Sequence, residues 1–244
     1  MTTHPSMNDL FGLLDKWRHF PAFPLEPRSE VLFALFLPTI MESCIGVKIN
    51  PLVIPQFPLK KEGNNQSNNV DFFALSEDGK CGYLIELKTD MRSRRGNQDK
   101  YLDKAIEKNL HAKLCDYKKI LKSATDDKYA RQKYYHMSKS LSRLRLIELP
   151  SELESTIYPH MSGGVDRFRV RKLIDDICIL KSPLLEVVYV QPYQSKEDKC
   201  DDNRFHYIYF DELANIVETH GDMGGLFAGY LRKWTTDPAT HPPR

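Results

Sequence analysis

The chain has 244 residues, of which 41% are hydrophobic and 28% are charged, and its formal net charge is +2. This composition predicts a soluble globular protein, and no apolar run approaches the roughly 20 residues that a membrane-spanning helix needs. The first ten residues lack the basic and apolar regions of a secretory signal peptide. The five cysteines are widely spaced without a CxxC pair, which indicates reduced thiols and a cytoplasmic location. The small positive charge argues only weakly for binding a polyanion.

Two helices followed by a bent strand are predicted at the start of the chain. Apolar residues recur at helical spacing over Asn8–Trp17, with the asparagine as N-cap. Pro27 suits the first turn of a second helix, Arg28–Ser43. Glu30 would lie in that turn, where a carboxylate favours the helix dipole. Three prolines in Val47–Leu59 predict a bent strand, because proline is confined to strand edges, starts and bulges.

A β-hairpin centred on Asp78-Gly79 is predicted next. An Asp-Gly pair between two apolar runs is the strongest short-range signal for a hairpin. Pairing outward from this loop places Asp71 directly opposite Glu86, with Cβ atoms roughly 4.5–5.5 Å apart. Lys88 lies two residues beyond Glu86, so it projects from the same face.

The two opposed carboxylates require a positive partner, because like charges directly opposite each other destabilise a sheet. Lys88 is one candidate. A divalent cation is the other, since hard oxygen ligands suit Mg²⁺ or Mn²⁺. Two acids and a lysine around a metal can activate water against a phosphodiester. An ion-paired structural hairpin without a metal is the alternative interpretation.

The chain contains several acid-x-Lys triplets, but only Glu86/Lys88 ends an apolar strand with an acid opposite it. The others fall in turns, charged helix or polar loop: Asp78/Lys80, Asp116/Lys118, Asp126/Lys128 and Glu197/Lys199. Asp71 with Glu86, Leu87 and Lys88 resembles the motif of the PD-(D/E)xK nuclease superfamily, which shares the restriction-endonuclease-like fold. The resemblance covers about residues 30–101. It implies an α/β protein whose central mixed β-sheet is flanked by helices, with added C-terminal helices.

The resemblance also implies roles for individual residues. Asp71, Glu86 and the backbone carbonyl of Leu87 would bind Mg²⁺ or Mn²⁺. Lys88 would orient or activate the attacking water, or stabilise charge on phosphorus. A first-helix glutamate, here Glu30, would hold the metal or its water, and the alternative for Glu30 is the helix-dipole role alone.

Gln98 and Tyr101 lie at the start of a helix predicted from about Asn97 to Ser123. They resemble the Gln-xxx-Tyr motif of the RecB-like branch of the superfamily, although the spacing here is one residue shorter. Both spacings place the two residues on one helix face. The resemblance therefore implies that they flank the site, and the alternative is a surface glutamine and a core tyrosine.

The rest of the chain shows no internal repeat and no domain boundary, so one nuclease-like domain is expected over residues 1–244. Its core would span about 28–192, with a helical insertion at about 124–182. The further predicted helices are Asp127–Arg145, Asp166–Leu180, Asp211–Thr219 and Met223–Trp234, and the further strands are Leu184–Val190 and His206–Phe210.

The function expected from the resemblance is metal-dependent hydrolysis of phosphodiester bonds by an Mg²⁺-dependent deoxyribonuclease. Nucleic acid, with DNA favoured, is the expected partner, and no membrane partner is expected. Cutting both strands of a duplex needs two sites, which a homodimer would supply. The alternative is a non-catalytic nucleic-acid-binding or scaffold protein on the same fold, because a fold alone does not define a function.

Overall fold

The structure is a computed structural model, and it describes residues 6–61, 66–91, 96–158, 165–196, 198–199 and 201–236. Its α-helices are α1 Met7–Trp17, α2 Leu25–Ile45, α3 Gly96–Glu107, α4 Asn109–Ser123, α5 Lys128–Arg143, α6 Leu153–Ile157, α7 Arg167–Asp175, α8 Phe210–Val217 and α9 Gly221–Thr236. Its strands are β1 Ile54–Lys60, β2 Ser67–Leu75, β3 Cys81–Leu87, β4 Ile147–Glu148, β5 Cys178–Ile179, β6 Leu184–Gln191 and β7 Phe205–Tyr209. None of the helices in these ranges is long and apolar enough to cross a membrane.

A five-stranded mixed sheet forms the centre of the molecule, in the order β1-β2-β3-β6-β7. The first three strands pair antiparallel, whereas β3 with β6 and β6 with β7 pair parallel. Parallel neighbours need a long crossover, and helices α3 to α7 lie within the one between β3 and β6. The predicted α/β class, with a central mixed sheet flanked by helices, is confirmed. Strand β7 extends the sheet beyond residue 192, where the core was expected to end.

Apolar clusters cover both faces of the sheet. Successive residues of a strand point to opposite faces, so the last six residues of β2 and all seven of β3 are buried. Phe73 and Leu84 pack with α3 to α7 in one cluster. Phe72 and Ile85 pack with α1, α2, α8 and α9 in the other. The two helical layers therefore enclose the hairpin that bears the predicted acidic residues.

The predicted register of the β2-β3 hairpin is confirmed. Phe72 pairs with Ile85, and the same register holds along the strands. One step further along, it places Asp71 opposite Glu86, as the pairing from Asp78-Gly79 predicted.

The hairpin loop contains four residues rather than the two that were predicted. The Ser76 amide donates to the Cys81 carbonyl at 2.8 Å, so residues 77–80 form the connection. Asp78 accepts hydrogen bonds from the Ser76 hydroxyl and from the Lys80 amide. Gly79 has a φ of 71°, which glycine adopts without a Cβ penalty. The register is unchanged because both loops are centred on the same two residues.

The N-terminal helices begin earlier than predicted. Ser6, rather than Asn8, caps α1 through a capping box. Helix α2 starts at Leu25, because proline is tolerated in a first turn whose amides have no intrahelical acceptor. Glu26 is consequently the first-turn acid, and the prediction that Glu30 occupies the first turn is wrong. Glu30 lies one turn further along the same helix.

The single helix predicted over residues 97–123 is interrupted, so that prediction is wrong. Asn109 has a φ of 57°, a left-handed conformation that asparagine tolerates better than most residues. Its side chain accepts a hydrogen bond from the Ala112 amide at 3.1 Å and so helps to start α4. The helix predicted over Asp166–Leu180 is also too long, because it ends at Asp175 and β5 follows.

Candidate functional site

Asp71 and Glu86 lie side by side on the sheet face that α3 covers. Both are almost completely buried, with exposed fractions of 7% and 2%. The negative charge of Asp71 contributes to raising the pKa of Glu86, as expected for neighbouring carboxylates. The structure therefore brings this predicted pair together.

Lys88 is buried between two carboxylates from different elements. Its Nζ lies 3.1 Å from Glu86 Oε1 and 3.2 Å from Glu26 Oε1. Its backbone amide donates to the Val190 carbonyl at 2.8 Å, which attaches the residue to β6 just beyond the end of β3. Of the two positive partners considered for the acids, Lys88 is thus in place.

The Glu86/Lys88 triplet is buried, which distinguishes it from the other acid-x-Lys triplets described below. The Lys88 and Glu86 side chains are 2% and 3% exposed, whereas those of Lys80 and Asp78 are 84% and 54% exposed. Asp126 pairs on the surface with arginines of α7 rather than with the lysine of its own triplet. Glu197 lies outside the described residues.

Glu26 contacts the buried lysine, and sequence reasoning missed it. Glu26 and Glu30 are four residues apart in α2, so they face the same side of the helix. A helix predicted to start at Leu25 would have included both glutamates on one face. Local propensity alone did not indicate that start, because Pro27 suggested a later one.

Glu30 is held near Asp71 by a residue of β1. Gln56 Nε2 donates to Glu30 Oε1 at 3.0 Å, and the Gln56 side chain also hydrogen-bonds to Asp71. Burial raises the pKa of Glu30, and the negative charge of Asp71 raises it further. Glu30 therefore lies near Asp71, and its role in holding a metal or its water stays a prediction. Gln56 is a second residue that the sequence analysis missed.

The backbone of β1 is distorted at Gln56, where φ is 51°. Its neighbours pair with β2 as Pro55 with Phe72 and Phe57 with Val70, which places Gln56 opposite Asp71. Left-handed backbone at a residue other than glycine costs about 1–2 kcal/mol. The backbone distortion of this strand thus occurs at Gln56, whose side chain contacts Glu30 and Asp71.

We expect Gln56→Gly to be more stable than Gln56→Ala by about 1 kcal/mol, because both variants lack the amide but only glycine relieves the left-handed strain. Chemical unfolding of the two variants measures the difference. Equal stability, or a more stable alanine variant, would show that β1 relaxes at this position.

The Asp71 carboxylate is oriented by the main chain of the neighbouring strand. The Leu87 amide donates to Asp71 Oδ2 at 2.7 Å in a buried setting. A fixed carboxylate on β2 therefore faces the end of β3. The role of the Leu87 carbonyl as a metal ligand stays a prediction.

Tyr101 reaches the site from α3. Its hydroxyl donates a long hydrogen bond of 3.4 Å to Glu86 Oε1, and its ring packs against the apolar cluster on the same face. Tyr101 thus combines the two alternatives considered for it, a core position and a contact with the acids. The side chain of Gln98 lies outside the described residues, so its predicted role is untested.

The acids share an unfavourable electrostatic setting. Burial raises the pKa of Glu86 to about 7, and burial also raises the pKa of Asp71 and of Glu30. Burial opposes the charge of Lys88, but the surrounding carboxylates outweigh it and raise the pKa of the ammonium. The three carboxyl groups therefore bind protons more readily than isolated carboxylates do.

We expect the metal-free protein to lose stability as pH rises from about 4.5 to 7. In that interval folded Glu86 keeps a proton that the unfolded chain has released, so unfolding becomes easier as pH increases. A rise in the pKa of Glu86 from 4.5 to about 7 corresponds to about 3 kcal/mol of stability. Unfolding curves recorded in EDTA across this range measure the effect. Glu86→Gln should flatten the pH dependence of stability. An equally steep dependence in that variant would show that groups other than Glu86 cause it.

The donor set fits a hard divalent cation in its chemistry. Mg²⁺ is commonly held by one or two carboxylates together with water, and Asp71 and Glu86 supply two. In the ranges that the structure describes, however, no group of three or more His, Cys, Asp or Glu side chains could hold a metal ion. Water and a main-chain carbonyl would therefore have to complete the coordination.

Comparison with known proteins adds no identification. No family model matches the chain, and neither a curated protein nor a solved structure matches it.

Proposed function

We propose that this protein is a metal-dependent nuclease that hydrolyses phosphodiester bonds in DNA. The observation that supports it best is the pair of buried, opposed carboxylates, Asp71 and Glu86, with the buried ammonium of Lys88 beside them. Such a group is costly to bury, and ionisable residues with strongly perturbed pKa values cluster at functional sites. The central mixed sheet flanked by helices is consistent with the restriction-endonuclease-like core that the motif implies.

In this proposal Asp71, Glu86 and the Leu87 carbonyl would hold Mg²⁺ or Mn²⁺ together with water, and Glu30 would contact the metal-bound water. A bound divalent ion would polarise the scissile phosphate and lower the pKa of the attacking water. Tyr101 orients the Glu86 carboxylate through its hydroxyl.

Lys88 acts in the proposal as a fixed positive charge. The surrounding carboxylates raise its pKa, so the side chain is an ammonium at neutral pH rather than a proton acceptor. A preorganised ammonium in a dry site stabilises negative charge that develops on phosphorus. Of the roles that the family motif offers for this lysine, charge stabilisation is therefore the one we assign.

A non-catalytic protein that binds nucleic acid or acts as a scaffold is the second candidate. The contacts of Lys88 with Glu86 and Glu26 favour it, because they neutralise acids within the protein itself. A buried ion-paired network of this kind can serve structure alone.

Incubation with supercoiled plasmid, linear duplex, single-stranded DNA and RNA, in Mg²⁺, Mn²⁺ or EDTA, separates the two candidates. Cleavage of DNA with metal and none with EDTA is the expected result. Preferential cleavage of RNA would change the proposed substrate but keep the reaction. Binding without cleavage of any of these substrates would favour the non-catalytic candidate.

A further inference from the structure

A cavity of about 470 Å³ rich in lysine lies next to the acidic residues. Five lysines line it, at positions 60, 61, 104, 108 and 113, with Asp116 as the acidic residue among the described lining. Asp116 also pairs with Lys119 outside the cavity at 2.9 Å. Lysines therefore outnumber acidic residues five to one in the described lining, whereas the net charge of the whole chain is only +2.

The interruption at Asn109 builds this cavity. Lys104 belongs to α3 and Lys113 to α4. In one continuous helix, residues nine positions apart would point about 180° away from each other. Because Asn109 turns the chain through a left-handed conformation, both lysines line the same space.

Tyr101 joins the cavity to the acidic residues. Its side chain lines the cavity, and its hydroxyl donates to Glu86. A phosphate bound by the lysines would therefore lie across one aromatic ring from the carboxylates. The acids by themselves repel a polyanion, so an adjacent positive surface is what such a substrate needs to approach them.

We propose that this cavity binds the backbone phosphates of a nucleic-acid strand and leads that strand to Asp71 and Glu86. This inference rests on the proposed function. It adds a substrate-binding surface on the side of Tyr101, between β1 and the α3-α4 junction. Several lysines in one cavity suit a chain of successive phosphates better than one isolated anion. The amide of Asn68, which also lines the cavity, supplies a neutral hydrogen-bonding group.

Charge reversal of two exposed lysines tests the proposal without disturbing the core. Lys104→Glu/Lys108→Glu changes the cavity, and Lys128→Glu/Lys133→Glu makes the same change in net charge on exposed positions of α5. Anisotropy of a labelled DNA strand in EDTA measures binding without cleavage. We expect the cavity variant to bind at least about tenfold more weakly and its salt slope to fall by about 1–2, with the α5 variant close to wild type.

The outcomes for this cavity and for the proposed nuclease activity are separable. Equal binding by both variants, or no binding of DNA by the wild type, would overturn the inference, whether or not cleavage occurs. Cavity-dependent binding by a wild type that does not cleave would support it and count against the nuclease. Binding of inorganic phosphate and of pyrophosphate is measured in the same variants. Binding of those ions at the cavity lysines without binding of DNA would overturn the assignment to a strand.

Discussion

Glu86→Gln and Asp71→Asn should each reduce metal-dependent cleavage of DNA by at least about 100-fold while leaving the protein as stable as the wild type or more so. Each replacement keeps the shape of the side chain and an oxygen that accepts a hydrogen bond, but removes the charge that would hold a metal. The direction of the stability change follows from burial, which raises the pKa of both carboxyl groups. Neutral amides at these positions therefore avoid a cost that the carboxylates impose.

Cleavage is expected to fall while stability is kept or increased, so the loss of activity in these variants would not be a consequence of unfolding. Asp126→Asn is the matched control, since Asp126 begins another acid-x-Lys triplet and its partners are surface arginines. Its cleavage rate should stay within about twofold of wild type, as expected for a surface substitution. Wild-type rates in both Glu86→Gln and Asp71→Asn would remove these residues from the site.

Lys88→Met should destabilise the metal-free protein by about 3–5 kcal/mol at pH 8, the usual cost of removing one partner from a buried ion pair. The lysine is 1% exposed and lies between two glutamates, so its loss leaves buried negative charge without a nearby cation. The loss should be smaller at pH 5.5, because Glu86 then takes up a proton. Its pKa of about 7 already allows this, and removal of Lys88 would raise it further.

A double-mutant cycle in guanidinium chloride with EDTA measures this coupling. Lys88→Met/Glu86→Gln should recover much of the stability, because the charge that needed compensation is gone. Lys128→Met, at an exposed position, should change the free energy of unfolding by about 0.5 kcal/mol or less. Equal losses of stability at pH 8 and pH 5.5, with no recovery in the double variant, would contradict the coupling between Lys88 and Glu86.

Much of the candidate site was predictable because its central part depends on local rules. The loop at Asp78-Gly79 and the alternation of a β-strand were enough to place Asp71 opposite Glu86. The same alternation placed Lys88 on that face. The general class of the fold was also predictable, since apolar strands between amphipathic helices favour a sheet covered on both sides.

The remainder depended on contacts between distant segments. Glu26 reaches Lys88 because packing brings α2 to the end of β3, and no sequence spacing relates residues 62 positions apart. Gln56 acquires its role through a left-handed backbone in a strand, which propensity argues against. Tertiary contacts have to stabilise such a conformation, so only the folded chain indicates it.

Turn chemistry and two-residue periodicity act over short distances, so local sequence was enough to predict the hairpin with two acids and a lysine on one of its faces. Contacts between distant segments place Lys88 between Glu86 and Glu26. They also bring the cavity lysines together beside Tyr101 at the turn formed by Asn109. Both depend on how helices pack against the sheet, and that packing is a balance of burial and charge over the whole chain.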